Sequence, residues 1–170
     1  TEGSDATTLI ANVTNRNGVF GVYLTQATDT RVVDNVADHN TRIGFALNNT
    51  RGSWLESNVA RWNRGSNFGV VDKSRDNTLR NNRTKGGGTG FALSSDNNLL
   101  QGNTATDHRR GSAFWVDGVG NTLRGNTAKN SQVGFNDHTS GSGTKGTANT
   151  YANNRCVGND EASDPRGLCR

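Results

Sequence analysis

The residues of this chain best suited to chemistry gather in its carboxy-terminal third, where Trp115, Asp117, Asn136, Asp137 and His138 fall within a short span. An imidazole beside carboxylates can move protons at neutral pH. An indole ring stacks on the apolar face of a pyranose. Lys73 offers a cation for an acidic sugar, and Tyr23 a second aromatic surface. The set describes a sugar subsite in which Asp117, Asp137 and His138 are the candidate catalytic groups. Tyr23, Lys73, Trp115 and Asn136 are the candidate substrate-binding groups.

Such a subsite exists only if distant residues are brought onto one surface, and a repeat does this. Asparagines recur at Asn12, Asn35, Asn58, Asn82, Asn103, Asn126 and Asn154, at steps of 23, 23, 24, 21, 23 and 28 residues. Two residues after each of the first six comes Thr14, Ala37, Ala60, Thr84, Ala105 or Ala128, and three before the next comes Val32, Leu55, Leu79, Leu100 or Leu123. Between them lies a small-apolar-x-apolar run such as Gly44-Phe45-Ala46-Leu47, Gly90-Phe91-Ala92-Leu93 or Ala113-Phe114-Trp115-Val116. Three short alternating segments separated by Asn, Gly, Ser and Asp are strands and turns. A unit this small buries its apolar side chains only by stacking on copies of itself. The expected fold is therefore all-β: a single-stranded right-handed parallel β-helix, or β-solenoid, of about six to seven coils of roughly 23 residues. Asparagine fits a corner because it tolerates left-handed backbone angles and its amide pairs along a stack.

In the alternating long strand the residue between the apolar pair faces outward, which predicts an outer column of Tyr23, Ala46, Val71, Ala92, Trp115 and Asn136. The next column is Thr25, Asn48, Lys73, Ser94, Asp117 and His138, with Asp137 at the strand edge. His39 and His108 fall in turns without such company. Trp54 and Trp62 are read as covering coil edges, and the triple glycine at 86–88 and the Ser/Gly-rich stretch 139–147 as loops.

The string Asn121-Thr122-Leu123-Arg124-Gly125-Asn126-Thr127-Ala128, followed by Gly134-Phe135, resembles the right-handed β-helix proteins of the pectate-lyase-like superfold, with NosD-like or CASH-type repeats. Gly134-Phe135-Asn136-Asp137-His138 is similar to the Tyr-Gly-Phe-Asp-Pro-His motif of alginate C5-epimerases. Here Val133 stands for the tyrosine, and Asn136 and Asp137 for the Asp-Pro. The resemblance implies the coil throughout and a module acting on or binding acidic polysaccharide; any enzyme would be of lyase or C5-epimerase type. A non-catalytic structural or adhesion scaffold is the alternative, since repeats of this kind describe a coil rather than a reaction.

Composition narrows the remaining classes. The chain has 170 residues, 30% hydrophobic, with 22 glycines and one proline, which suits a thin stacked core in one domain. Its divisions are a partial first coil at 1–11, repeats over 12–154 and a cap at 155–170. A net charge of +4 gives attraction for polyanions, with arginines scattered among acids and no nucleic-acid motif, so nucleic acid is not the expected partner. No apolar run is long enough to span a membrane. Cys156 and Cys169, the only cysteines, read as one disulfide in a secreted, extracellular or cell-surface protein. The amino end carries nothing to cover an open coil, which predicts further coils or a partner there. Zinc spacing, phosphate loops and nucleophile elbows are absent from the sequence. Calcium is conceivable only at turn aspartates Asp72, Asp76 and Asp96, whose spacing is too open, so no cofactor is expected.

Overall fold

A computed structural model of the chain describes residues 3–170. Each strand pairs in parallel with its counterpart one repeat away, and the strands form three sheets of seven, six and seven members, a parallel β-solenoid of about six coils. One sheet carries the leucines, from Thr8–Ile10 through Arg31–Val33 to Thr150–Ala152. The second carries the alanines, from Val36–Asp38 to Arg155–Val157. The third has the longest strands, from Phe20–Thr25 to Glu161–Asp164.

Register places like on like. Leu55, Leu79, Leu100 and Leu123 lie in one fully buried column, and Ala37, Ala60, Ala105 and Ala128 in another. On the long sheet Phe45, Phe68, Phe91, Phe114 and Phe135 stack face to face, with centroids 4.5–5.0 Å apart. Successive coils bring identical rings to strand spacing, so each phenylalanine is packed by its own copies.

The corners are asparagine ladders. Asn103 accepts at Oδ1 from the backbone N–H of Asn82 at 2.9 Å and from Asn82 Nδ2 at 3.1 Å, while its own Nδ2 donates to Leu79 O at 2.8 Å. The same pattern links the whole expected series from Asn12 to Asn154. Left-handed backbone is not what selects asparagine there. The positive φ belongs to the residue before it, as at Asp34, Asn81 and Gly102. The ladder residue itself lacks a positive φ, and its N–H and its side chain both address neighbouring coils.

Two further ladders occupy the other corners. Asn77, Asn98, Asn121 and Asn149 bond in series before the leucine strands, and Asn17, Asn40 and Asn63 before the long strands. In the second series Asn67 completes the corner beyond Asn63 by reaching Gly86 O, and His108 and Ser131 continue it. At the carboxy end Arg155–Val157 and Glu161–Asp164 still pair with the preceding coil. Residues 165–170 then fold back, burying Leu168 and closing the Cys156–Cys169 disulfide.

Asn103→Asp keeps the acceptor but sets a second oxygen against Leu79 O and Asn126 Oδ1. It should lower the free energy of unfolding by about 3 kcal/mol, whereas exposed Arg124→Gln should change it little; urea midpoints for the two variants check this. Reducing Cys156–Cys169 should cost about 3 kcal/mol by chain entropy. Its first effect should be faster amide exchange in Arg155–Val157 and Glu161–Asp164, followed by mass spectrometry with and without reductant.

Candidate functional site

The long sheet positions the polar cluster through its register. Phe114 and Val116 point into the core, which turns the intervening Trp115 outward, and the next strand sets Asn136 beside it. Asp117 and His138 follow at the strand ends on adjacent coils, joined by the bond from His138 N–H to Val116 O. Trp115 Nε1–H donates to His138 Nδ1 at 2.8 Å, and the same Nδ1 lies 2.9 Å from Asp117 Oδ1. The two rings meet edge to face at 5.7 Å.

One nitrogen cannot serve both partners in the same state. With Nδ1 bare it accepts from the indole; with Nδ1 protonated it donates to the carboxylate and the indole loses its acceptor. The two bonds are therefore alternatives, set by which ring nitrogen carries hydrogen. Nε2 has no hydrogen bond to any described residue and faces outward. Asn136 Nδ2 reaches Ser112 Oγ at 3.4 Å, and its Oδ1 is buried without a partner.

The other candidates lie elsewhere. Tyr23 is on the same outer column but four coils away, roughly 19 Å at the strand spacing, and stacks on Phe20 at 4.7 Å. Lys73 is not in the Asp117 column. Register puts Gly69 and Val71 at the two outward positions of that coil. The displacement has a local cause: Asn67, not Gly69, occupies the small leading position of the strand, because its amide is needed at the Asn63 corner. Lys73 sits in the turn beyond, beside Asp72 and Arg75.

Asp137 continues the inward column below Val116 rather than the outer one. It accepts from Thr139 N–H and Oγ1–H at 2.8 and 2.6 Å, from Asn149 Nδ2 at 2.9 Å and from the Tyr151 hydroxyl at 2.7 Å. These four donors tie the 139–147 excursion to the coil. Burial and the Asp137 carboxylate both raise the Tyr151 hydroxyl above its ordinary range, keeping it protonated.

Among the described residues no three His, Cys, Asp or Glu side chains converge as metal ligands. Of the turn aspartates, Asp76 pairs with Arg51 at 3.2 Å, Asp96 accepts from Val119 N–H at 2.8 Å and Asp72 accepts from Asn48. A feature missed in sequence is a basic cavity beside Trp62, formed where the glycine-rich coil 86–88 is drawn in.

The profile of the family described as "Periplasmic copper-binding protein (NosD)" matches residues 2–159. No curated protein sequence matches the chain. Among solved structures, it is similar to the A-module of the mannuronan C-5 epimerase AlgE4 of Azotobacter vinelandii, at 18% identity and a TM-score of 0.67, covering 94% of this chain and 55% of that one. Pectate lyase Pel9A matches at 13% identity and a TM-score of 0.58, over 90% and 52%. The AlgE6 A-module of the same organism matches at 19% and 0.53, over 82% and 55%. At such identities the likeness is one of fold, and this chain spans just over half the length of each.

His108 occupies an asparagine's place in the third ladder and is fully buried, with Nδ1 2.9 Å from Gly88 O and Nε2 2.9 Å from Thr84 Oγ1. Burial lowers it to about 4, against the weaker raising pull of the Gly88 carbonyl and of Asp107. The unfolded chain takes up this proton near the ordinary histidine value while the folded one resists it. Stability should thus fall as pH drops from about 6.5 toward 4, by about 3 kcal/mol from this group alone, and level off below. His108→Asn should flatten that part of the profile; equal loss in variant and parent between pH 7 and 4.5 would contradict it.

Proposed function

Because the chain belongs to the NosD family, we propose that it is a β-helix module working outside the cytoplasm, where it binds acidic polysaccharide on the outer face of its long sheet. The observation that carries this reading is the cluster of Trp115, Asp117 and His138 on that face. The indole offers a stacking surface, the exposed Asp117 and His138 offer hydrogen bonds to hydroxyls, and the net charge of +4 draws in a polyanion. A disulfide fits an oxidising compartment. The mannuronan epimerases and pectate lyase that share the fold bear names of enzymes acting on acidic glycans, which favours this ligand class.

Copper, which the family description names, does not fit this donor set. The chain has no methionine, and both cysteines are consumed in the disulfide. His39 sits at a left-handed corner, His108 has both ring nitrogens engaged inside, and His138 stands alone among imidazoles on its face. Soft or multiple imidazole ligands are what copper selects.

Catalysis is a second reading, favoured by the Asp117–His138 hydrogen bond, which would let His138 act as a base at the C5 proton of a uronate. Binding is preferred because, among the described residues, no lysine or arginine pairs with that cluster to meet the sugar carboxylate. Trp115→Ala should weaken binding to alginate or pectin about tenfold at high salt and leave the unfolding midpoint nearly unchanged. His138→Ala should weaken it less. Calorimetric titration checks both, and solvent deuterium exchange at C5 together with the absorbance of unsaturated products checks for turnover. A chain that binds no uronate polymer is a scaffold.

A further inference from the structure

We propose that the cavity beside Trp62 is a second glycan subsite, one that holds the carboxylate of a uronate residue. It goes beyond the Trp115 reading, sharing with it only the ligand class. The cavity is about 760 Å³, large enough for a sugar, and its rim carries Arg64, Lys85, Arg109 and Arg110 against the single carboxylate of Asp107. Lys85 and Asp107 lie 3.8 Å apart. None of the three arginines forms an ion pair with any described carboxylate, so guanidinium forks stand available for a planar anion.

Trp62 is the second, independent observation. It is 47% exposed, and its indole N–H has no partner among the described residues. Its backbone has φ of 57°, at the left-handed corner position filled in other coils by Arg16, His39, Gly86, Asp107, Asn130 and Gly158. Glycine and asparagine take this conformation readily, whereas a bulky side chain there stores strain. Gly86 is shaped to the ring: a Cβ added at 86 would lie 2.0 Å from it. The next coil thus gives up a side chain where a flat, half-open indole stands at a basic hollow. An aromatic platform beside several guanidinium groups suits a sugar ring with an attached carboxylate. Arg109 and Arg110 lead directly into the strand Ser112–Val116 that carries Trp115, so the two aromatic sites border the same sheet.

The test uses the full chain titrated with oligogalacturonate, a neutral oligogalactoside and single-stranded DNA. Trp62→Asn should weaken oligogalacturonate binding about tenfold while its unfolding midpoint stays level or rises, since asparagine relieves the corner. Arg109→Gln with Arg110→Gln should weaken binding and flatten its salt dependence. The neutral sugar should bind poorly throughout. If Trp62→Asn weakens binding and Trp115→Ala does not, the cavity stands and the Trp115 reading falls. If only Trp115→Ala weakens it, the cavity proposal is overturned. It is overturned equally by tighter binding of DNA through the same residues, by a Trp62→Asn protein that loses stability but keeps its affinity, or by a parent chain that binds no oligogalacturonate.

Discussion

Every coil of this protein must turn three corners, and at each corner backbone N–H and C=O groups are buried where no strand partner reaches them. The asparagine side chain resolves this, because one amide accepts from a backbone N–H and donates to a backbone C=O of the coil on one side, and donates to the amide of the coil on the other. Neighbours a full repeat apart therefore satisfy one another. The thin core of stacked phenylalanine, leucine and alanine would not close without these columns, since each coil alone buries too little apolar surface to offset the entropy of ordering about 23 residues.

Once corners and core hold the stack, the outer faces are released from structural duty. That freedom separates the two proposed sites. Trp115 stands on an outward position beside the small Ala92, and His138 on one beside Asp117, and their geometry follows from register. Trp62 is different: it occupies a corner where the backbone resists it, and the drawn-in glycine coil accommodates it. Polar residues that seem free in the sequence can equally be absorbed by the scaffold, as Asp137 is by Thr139, Asn149 and Tyr151.

The parts legible in the sequence are those whose signal repeats. The Asn12 to Asn154 ladder, the leucine and alanine columns and the pairing of Cys156 with Cys169 all follow from spacing or count. The second ladder was equally present, since Asn77, Asn98, Asn121 and Asn149 each precede a member of the first by five residues. The third is harder to see, because Asn67 stands off the period and His108 and Ser131 replace the asparagine. Placement failed where the local motif misled: Gly69-Val70 imitates the strand opening that Asn67-Phe68 supplies, and this moved Lys73 onto a face it does not occupy. Inward and outward alternation near a strand end, which decides Asp137, depends on where the chain leaves the sheet. The Trp62 cavity depends on how far one coil is drawn in, and neither is a property of spacing.

The claim that amide ladders bear the corners is tested most directly by hydrogen exchange of the asparagine side chains themselves. The Nδ2 protons of Asn58, Asn82, Asn103 and Asn126, followed by nitrogen-resolved nuclear magnetic resonance, should exchange as slowly as the backbone amides of Phe91 and Phe114 and be released with them on unfolding. Exchange as fast as that of the exposed Asn49 and Asn153 side chains, with the phenylalanine amides still protected, would contradict it.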